Sequence, residues 1–330
     1  MIRLNLSSGL AVLSCWGTLL AGAPAPAAAQ SVTFSQVGSL PGPAELVRVQ
    51  DGRAYAASGK TLTIWDLSNP VAPKRAGSYT FPEKIWGFRV VGSLAYVAAD
   101  FFGLGLIDVS NPADPVLRGR FKTPGQAKSV ALFGTKAVVA DHMSGVDYID
   151  VSNPEKPASL GSFFLEGYAK DLIAIGSLAY AVDMPAGLYV LDLSKQGPLE
   201  PVGTAQSATA PTFIEIADTP AGSPKLAYLV GGGILQVYDV SSPTAPAKVS
   251  TLRTPGRATR AAVKGTLAYV ASGAEGLQVV DLSAPATPKI VGAYKTPSPA
   301  RDVAVTDTYV FVAVTASEDK GEVLILRQTP

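Results

Sequence analysis

Short apolar runs separated by turn residues recur from about residue 32 to the end of the chain. In one stretch the runs WGFRVV (86–91), LAYVAA (94–99), LGLIDV (104–109) and VLRGRF (116–121) follow one another, with Gly, Asn or Pro between them. Runs this short, rich in Val, Ile, Tyr and Phe and bounded by turn formers, predict strands. No window keeps a 3.6-residue period long enough to predict a helix before Gly or Pro interrupts it. The second run of each group, such as LAYVA (267–271), is apolar throughout. An antiparallel sheet with one wet face alternates instead. Both faces of these sheets are therefore expected to be covered.

The groups are repeats. DLSNP (66–70), DVSNP (108–112), DVSNP (150–154), DLS (192–194), DVSSP (239–243) and DLSAP (281–285) place Asp at steps of 42, 42, 42, 47 and 42 residues. A seventh, degenerate copy ends the chain as GEVLILRQTP (321–330), with Arg327 in the Asp position, and the extra residues of the fifth unit fall in ADTPAGSP (217–224). Four strands per ~42-residue unit, covered on both faces, is the pattern of a propeller blade. A β-helix has much shorter coils, and an immunoglobulin-like array needs ~100 residues per domain. The fold expected over 30–330 is thus all-β: a seven-bladed β-propeller of four-stranded antiparallel blades. VTFSQVGSLP (32–41) reads like the fourth strand PKIVGAYKTP (288–297), while the last unit supplies only three strands, near 300–305, 309–314 and 322–327. The N-terminal strand is expected to complete the last blade and close the ring.

GLGLIDVSNP (103–112), GVDYIDVSNP (145–154), GLYVLDLS (187–194) and GLQVVDLSAP (276–285) resemble the LVIVD repeat, a propeller-forming unit of exported bacterial and archaeal proteins. The layout is also similar to YVTN and tryptophan–aspartate repeat propellers, although Trp65–Asp66 is the sole such dipeptide. The resemblance implies the fold over essentially all of 31–330. It transfers no catalytic residue.

Composition narrows the field. With 47% hydrophobic and 16% charged residues, the chain is too apolar to be disordered. Its 32 Gly and 26 Pro lack a three-residue period, excluding collagen, and break any coiled coil. One Cys excludes a disulfide scaffold and a thiolate zinc site. Arg3 is the only charge before Glu45, an apolar stretch runs from about Leu10 to Ala21, and Ala27–Ala29 supplies an A-x-A site. That pattern predicts a signal peptide over 1–29, cut before Gln30, and a secreted or periplasmic protein. Acylation at Cys15 is the less favoured alternative. The apolar stretch is shorter than the ~20 residues of a spanning helix, so no transmembrane segment is expected in the mature chain. Removing Arg3 leaves 27 − 1 = 26 basic and 26 acidic residues, a net charge of zero without cysteine. Neither nucleic acid nor an anionic surface is indicated.

Chemistry is sparse. The Asp of D-[VL]-S-x-P reads as a turn residue bonding nearby backbone N–H groups. The first strands should line the channel, and aligning them on the AYV segment gives two mouth positions. One holds Glu45, Trp86, Lys128, Lys170, Thr212, Thr259 and Arg301; the next holds Leu46, Gly87, Ser129, Asp171, Phe213, Arg260 and Asp302. Scaffold positions repeat, whereas these do not, so Glu45, Trp86, Lys128, Lys170, Asp171, Arg260, Arg301 and Asp302 form the candidate ligand-binding mouth. Lys170–Asp171 and Arg301–Asp302 read alternatively as solvated ion pairs. Loop candidates beside the mouth are Asp100, Phe101, Phe102, Asp141 and the sole histidine, His142; Asp100, Asp141 and Asp183 align as a set ending the second strand. No phosphate loop, H-E-x-x-H, G-x-S-x-G or EF-hand motif occurs, and no cofactor is expected. The function expected is a non-catalytic binding scaffold for an extracytoplasmic protein, polymer or small polar ligand. The alternative is a propeller hydrolase or lactonase with a cation held by Glu45, Asp171, Glu215 and Asp302, which needs several converging oxygens.

Overall fold

The computed structural model describes residues 31–195, 199–207, 209–217, 225–317 and 320–329. The expected signal segment 1–29, with Cys15, and nearly all of the 217–224 insertion lie outside the described residues. Twenty-eight strands form seven four-stranded antiparallel sheets, each built from four strands consecutive in sequence except the last. Blades 1 to 6 span 46–80, 87–121, 129–163, 168–206, 213–253 and 260–294. In the second blade the strands are Gly87–Val91, Leu94–Ala98, Leu104–Asp108 and Val116–Phe121, the runs the hydrophobic pattern picks out.

Blade 7 pairs Ala300–Val305, Tyr309–Ser317 and Lys320–Thr329 with the N-terminal strand Thr33–Pro41. Thr33 stands opposite Thr329 and Pro41 opposite Glu322. The ring is closed by main-chain pairing between the two ends of the described chain.

The apolar core lies between blades, in seven clusters, one per neighbouring pair. Tyr55, Leu62 and Ile64 of blade 1 pack on Phe88, Val97 and Ile107 of blade 2. The seventh cluster joins Leu40, Phe311 and Ile325 to Val47, Ala54 and Trp65, and so carries the closing strand into the core. Burial from both sides explains why the second strands are continuously apolar.

The motif's Pro turn and the glycine of the fourth strand also meet across blades. A Cβ on Gly77 of blade 1 would collide with the carbonyl oxygen of Pro112 in blade 2, and one on Gly119 with that of Pro154 in blade 3. Blade 5 has Ser250 facing the next blade, and its Oγ donates to the Pro285 carbonyl at 2.6 Å.

Candidate functional site

The two ends of the ring differ in chemistry. At one end, Oδ1 of Asp66, Asp108, Asp150, Asp192, Asp239 and Asp281 accepts a bond from the N–H two residues on, at 2.8–2.9 Å. These six carboxylates are spent in local turns.

The opposite end carries the first-strand starts, the connections between blades and the loops between second and third strands. Trp86 is its centre. The indole N–H donates to Asp100 Oδ2 at 2.8 Å, and the Lys128 and Lys84 ammoniums lie 4.0 and 4.7 Å from the ring centroid. Lys84 pairs with Glu45 at 2.8 Å, while Asp100 also accepts from Gln126 at 2.8 Å. Arg260 reaches the Trp86 carbonyl at 3.2 Å from blade 6, bridging the mouth. One blade on, Lys170 Nζ donates to His142 Nε2 at 3.1 Å, and the imidazole stacks on Tyr168 at 4.8 Å. Burial, then Lys170 and Lys128, hold the His142 pKa below its ordinary value. A neutral ring that accepts from the ammonium fits that environment. Phe101, Met143, Phe164 and Tyr168 stand exposed on blades 2 to 4 or the connections beside them.

Several expected mouth residues serve elsewhere. Asp302 is 1% exposed; its Oδ2 accepts from Val47 N at 3.0 Å and Arg48 Nη1 at 2.7 Å. Asp171, equally buried, accepts from Ile214 N at 3.1 Å. Both fasten one blade's inner strand to the next, and no Lys170–Asp171 or Arg301–Asp302 ion pair forms among the described residues. Arg301 is exposed, its carbonyl accepting from Thr259 Oγ1 at 2.8 Å. Phe102 turns inward, edge-on to Phe81 at 5.5 Å.

The set Asp100, Asp141, Asp183 is also not one register. Asp100, His142 and Gly273 share a left-handed turn with φ of 45°, 51° and 56°, each bridged to the incoming strand of the next blade. Asp141 precedes that turn in blade 3 and Asp183 lies within the second strand of blade 4; both are fully buried and cap the incoming connection through Gly125 N and Tyr168 N. Burial and the neighbouring Asp141 push the Asp147 carboxyl up to about 7.

A second layer lies deeper in the channel. Arg48, Arg89, Ala131, Ile173, Glu215, Ala262 and Ala304 occupy one register, each opposite the central residue of the second strand. Six of them, all but Ala131, line a cavity of about 280 Å³. A larger cleft of about 620 Å³ opens on the flank between blades 7 and 1, lined by Lys60, Trp65, Arg75 and Lys84, away from this layer. Burial works against the Arg48 charge, but Asp302 outweighs it and the pKa is raised. Arg89 has no such partner: its Nη1 donates only to the Phe88 carbonyl, and burial followed by Arg48 brings its pKa down to about 10. Burial pushes Glu215 up to about 7, against the pull of Arg89 and Arg48. The two mouth positions lie outside this layer. The same spacing extended two residues inward marks this layer. The four carboxylates of the cation alternative do not converge; among the described residues no three acidic, His or Cys side chains gather as a metal site.

The LVIVD repeat profile matches residues 41–81, 84–123, 124–164, 166–199, 255–296 and 298–318. The chain belongs to the LVIVD repeat family. Blade 5, with its longer unit and Ser250, falls in the unmatched gap. No curated protein matches the sequence. Among solved structures, the β-propeller domain of Myceliophteria thermophila Cps50 (Swd1) is similar at 12% identity and a TM-score of 0.73, over 90% of this chain and 100% of that one. The computationally designed Ika8 protein is similar at 9% identity and a TM-score of 0.65, over 88% and 99%. At these identities both establish the propeller fold alone.

Proposed function

We propose that this LVIVD propeller is an exported binding scaffold that takes an anionic partner on the mouth face of blades 2 to 4. The observation that carries this reading is the Trp86 platform. Two ammonium groups lie against its ring, Lys84 paired with Glu45 and Lys128 standing 3.8 Å from Asp100, and a third, Lys170 on the next blade, has no carboxylate partner among the described residues. Cations over an indole present positive charge where a bare ring would present a stacking surface for a neutral sugar. Phe101, Met143, Phe164 and Tyr168 add apolar contact around the charge, the mixture of aromatic and basic groups that anchors interfaces. Export rests on the signal pattern of 1–29, and a mature net charge of zero leaves this local field as the distinguishing feature.

Binding to acidic and neutral polysaccharide resins tests the reading. Wild type should be retained by the acidic resin and released by salt, because exposed charges are screened over ~8 Å at physiological ionic strength. Lys128→Gln with Lys170→Gln keeps most of the packing stems while removing the charge. That variant should melt like wild type and lose retention. Equal retention of both proteins, or retention by the neutral resin alone, overturns the proposal.

A further inference from the structure

The mid-channel layer is separate from the mouth and has its own imbalance. Arg89 on blade 2 has no carboxylate within ion-pair distance, Asp171 and Glu215 acting on it only at longer range, and Glu215 on blade 5 has no side-chain bond or ion pair among the described residues. In a ring of seven these blades face each other across the opening. Their charges interact, since Arg89 is the leading group that draws the Glu215 pKa down against burial. They are nevertheless too far apart to form an ion pair. Arg48 stands beside Arg89 but is held by Asp302 at 2.7 Å. The rest of the lining is apolar, with Ile173, Ala262 and Ala304 in this layer and Phe213 and three valines beside it.

We infer that the channel cavity binds a small zwitterion of the amino-acid class, its carboxylate on Arg89 and its ammonium on Glu215. A half-buried unpaired guanidinium and a half-buried unpaired carboxylate each bear a desolvation cost that a partner relieves. A dipolar molecule spanning the gap satisfies both, whereas a simple anion leaves Glu215 unpaired and adds a like charge facing it. Arg presents a planar fork suited to a carboxylate. The cavity of about 280 Å³ lies just below the ~300–1,000 Å³ of drug-sized sites, which suits a molecule of amino-acid size. The alanines at this register keep that space open.

The inference stands apart from the mouth reading, and one calorimetric series separates them. Glycine, β-alanine, γ-aminobutyrate, acetate and methylammonium are titrated into the mature protein. At least one zwitterion should bind roughly tenfold or more tighter than acetate and methylammonium, as expected if a second charge-assisted contact contributes. Glu215→Gln and Arg89→Gln should each weaken it by a similar factor, while Lys128→Gln with Lys170→Gln leaves it unchanged. Binding of acetate as tight as that of every zwitterion overturns the inference, as does an absence of binding across the series. Unchanged affinity in folded Glu215→Gln does so too. None of these outcomes bears on retention by the acidic resin.

Discussion

Asp302 ties blade 7 to blade 1, and removing it should loosen the ring at its seam. Its carboxylate accepts from Val47 N at 3.0 Å, Arg48 Nη1 at 2.7 Å and Val303 N at 2.9 Å. Asp302→Ala leaves the Val47 and Val303 N–H groups without this acceptor and a guanidinium without its counter-ion. Stripping one partner from a buried pair costs about 3–5 kcal/mol. Arg48 retains 21% exposure to the water-accessible channel, which places the expected cost at the lower end, about 3 kcal/mol. At about 2 °C per kcal/mol for a chain of this size, the melting temperature should fall by about 6 °C. Asp302→Asn keeps an acceptor for Val47 and loses only the charge, so its fall should be smaller. Adding Arg48→Met to Asp302→Ala removes the stranded charge and should recover part of the loss, a non-additivity that a double-mutant cycle measures. Calorimetric scans of the four proteins at neutral pH decide the matter. If Asp302→Ala melts within about 1 °C of wild type, or if the double variant loses the full sum of the single losses, the seam is not held by this carboxylate.

Deleting residues 32–41 should expose the Lys320–Thr329 edge and remove Leu40 from the closing cluster, giving an unfolded or associating protein by light scattering. Glu215 has a folded pKa of about 7 against an ordinary 4.5, so its ionisation disfavours the folded state. Its contribution is full below the ordinary value and lost as pH rises through about 7; Glu215→Gln should therefore gain stability over wild type at alkaline pH and lose that advantage in acid, read from melting across the range. Asp108 and Asp150 are held below the usual carboxylate range by bonds from Ser110 and Ser152. Asp108→Ala and Asp150→Ala should each lower the melting temperature slightly at neutral pH. The wild-type advantage should vanish as pH falls through the depressed values, with resin retention unchanged.

The blades were legible because burial on both faces writes an uninterrupted apolar run, and the closing strand because its sequence matches a fourth strand. Side-chain partnerships were harder. Arg301 is the extra residue of a β-bulge between Ala300 and Asp302, which sequence alternation does not reveal, and Asp302 finds Arg48 of another blade, 254 residues away in sequence. Asp100 aligned with Asp141 by chemistry. Counting along the second strand instead pairs it with His142 and Gly273, and a glycine at that position is the cue for a left-handed turn. Phe102 looked like a loop residue beside Phe101, yet a one-residue step buries it against Phe81. The Arg89–Glu215 layer lacked any local signature. It emerges only when residues some forty positions apart are set in a ring.

The closing strand has a consequence for biosynthesis. Thr33 and its partner Thr329 are 296 residues apart, so the first strand of the propeller to be made is the last to be paired. At ~5–20 residues per second it waits on the order of 15–60 s with both main-chain edges open. Blades 1 to 6 are each made of consecutive strands, but the seam must await Lys320–Thr329. Ring closure thus acts as a check on completion of the propeller: a product truncated before Lys320 keeps a free strand at one end and an uncovered blade at the other. Such a fragment presents pairing edges that the finished molecule does not, and quality-control factors that bind extended chains can tell the two apart.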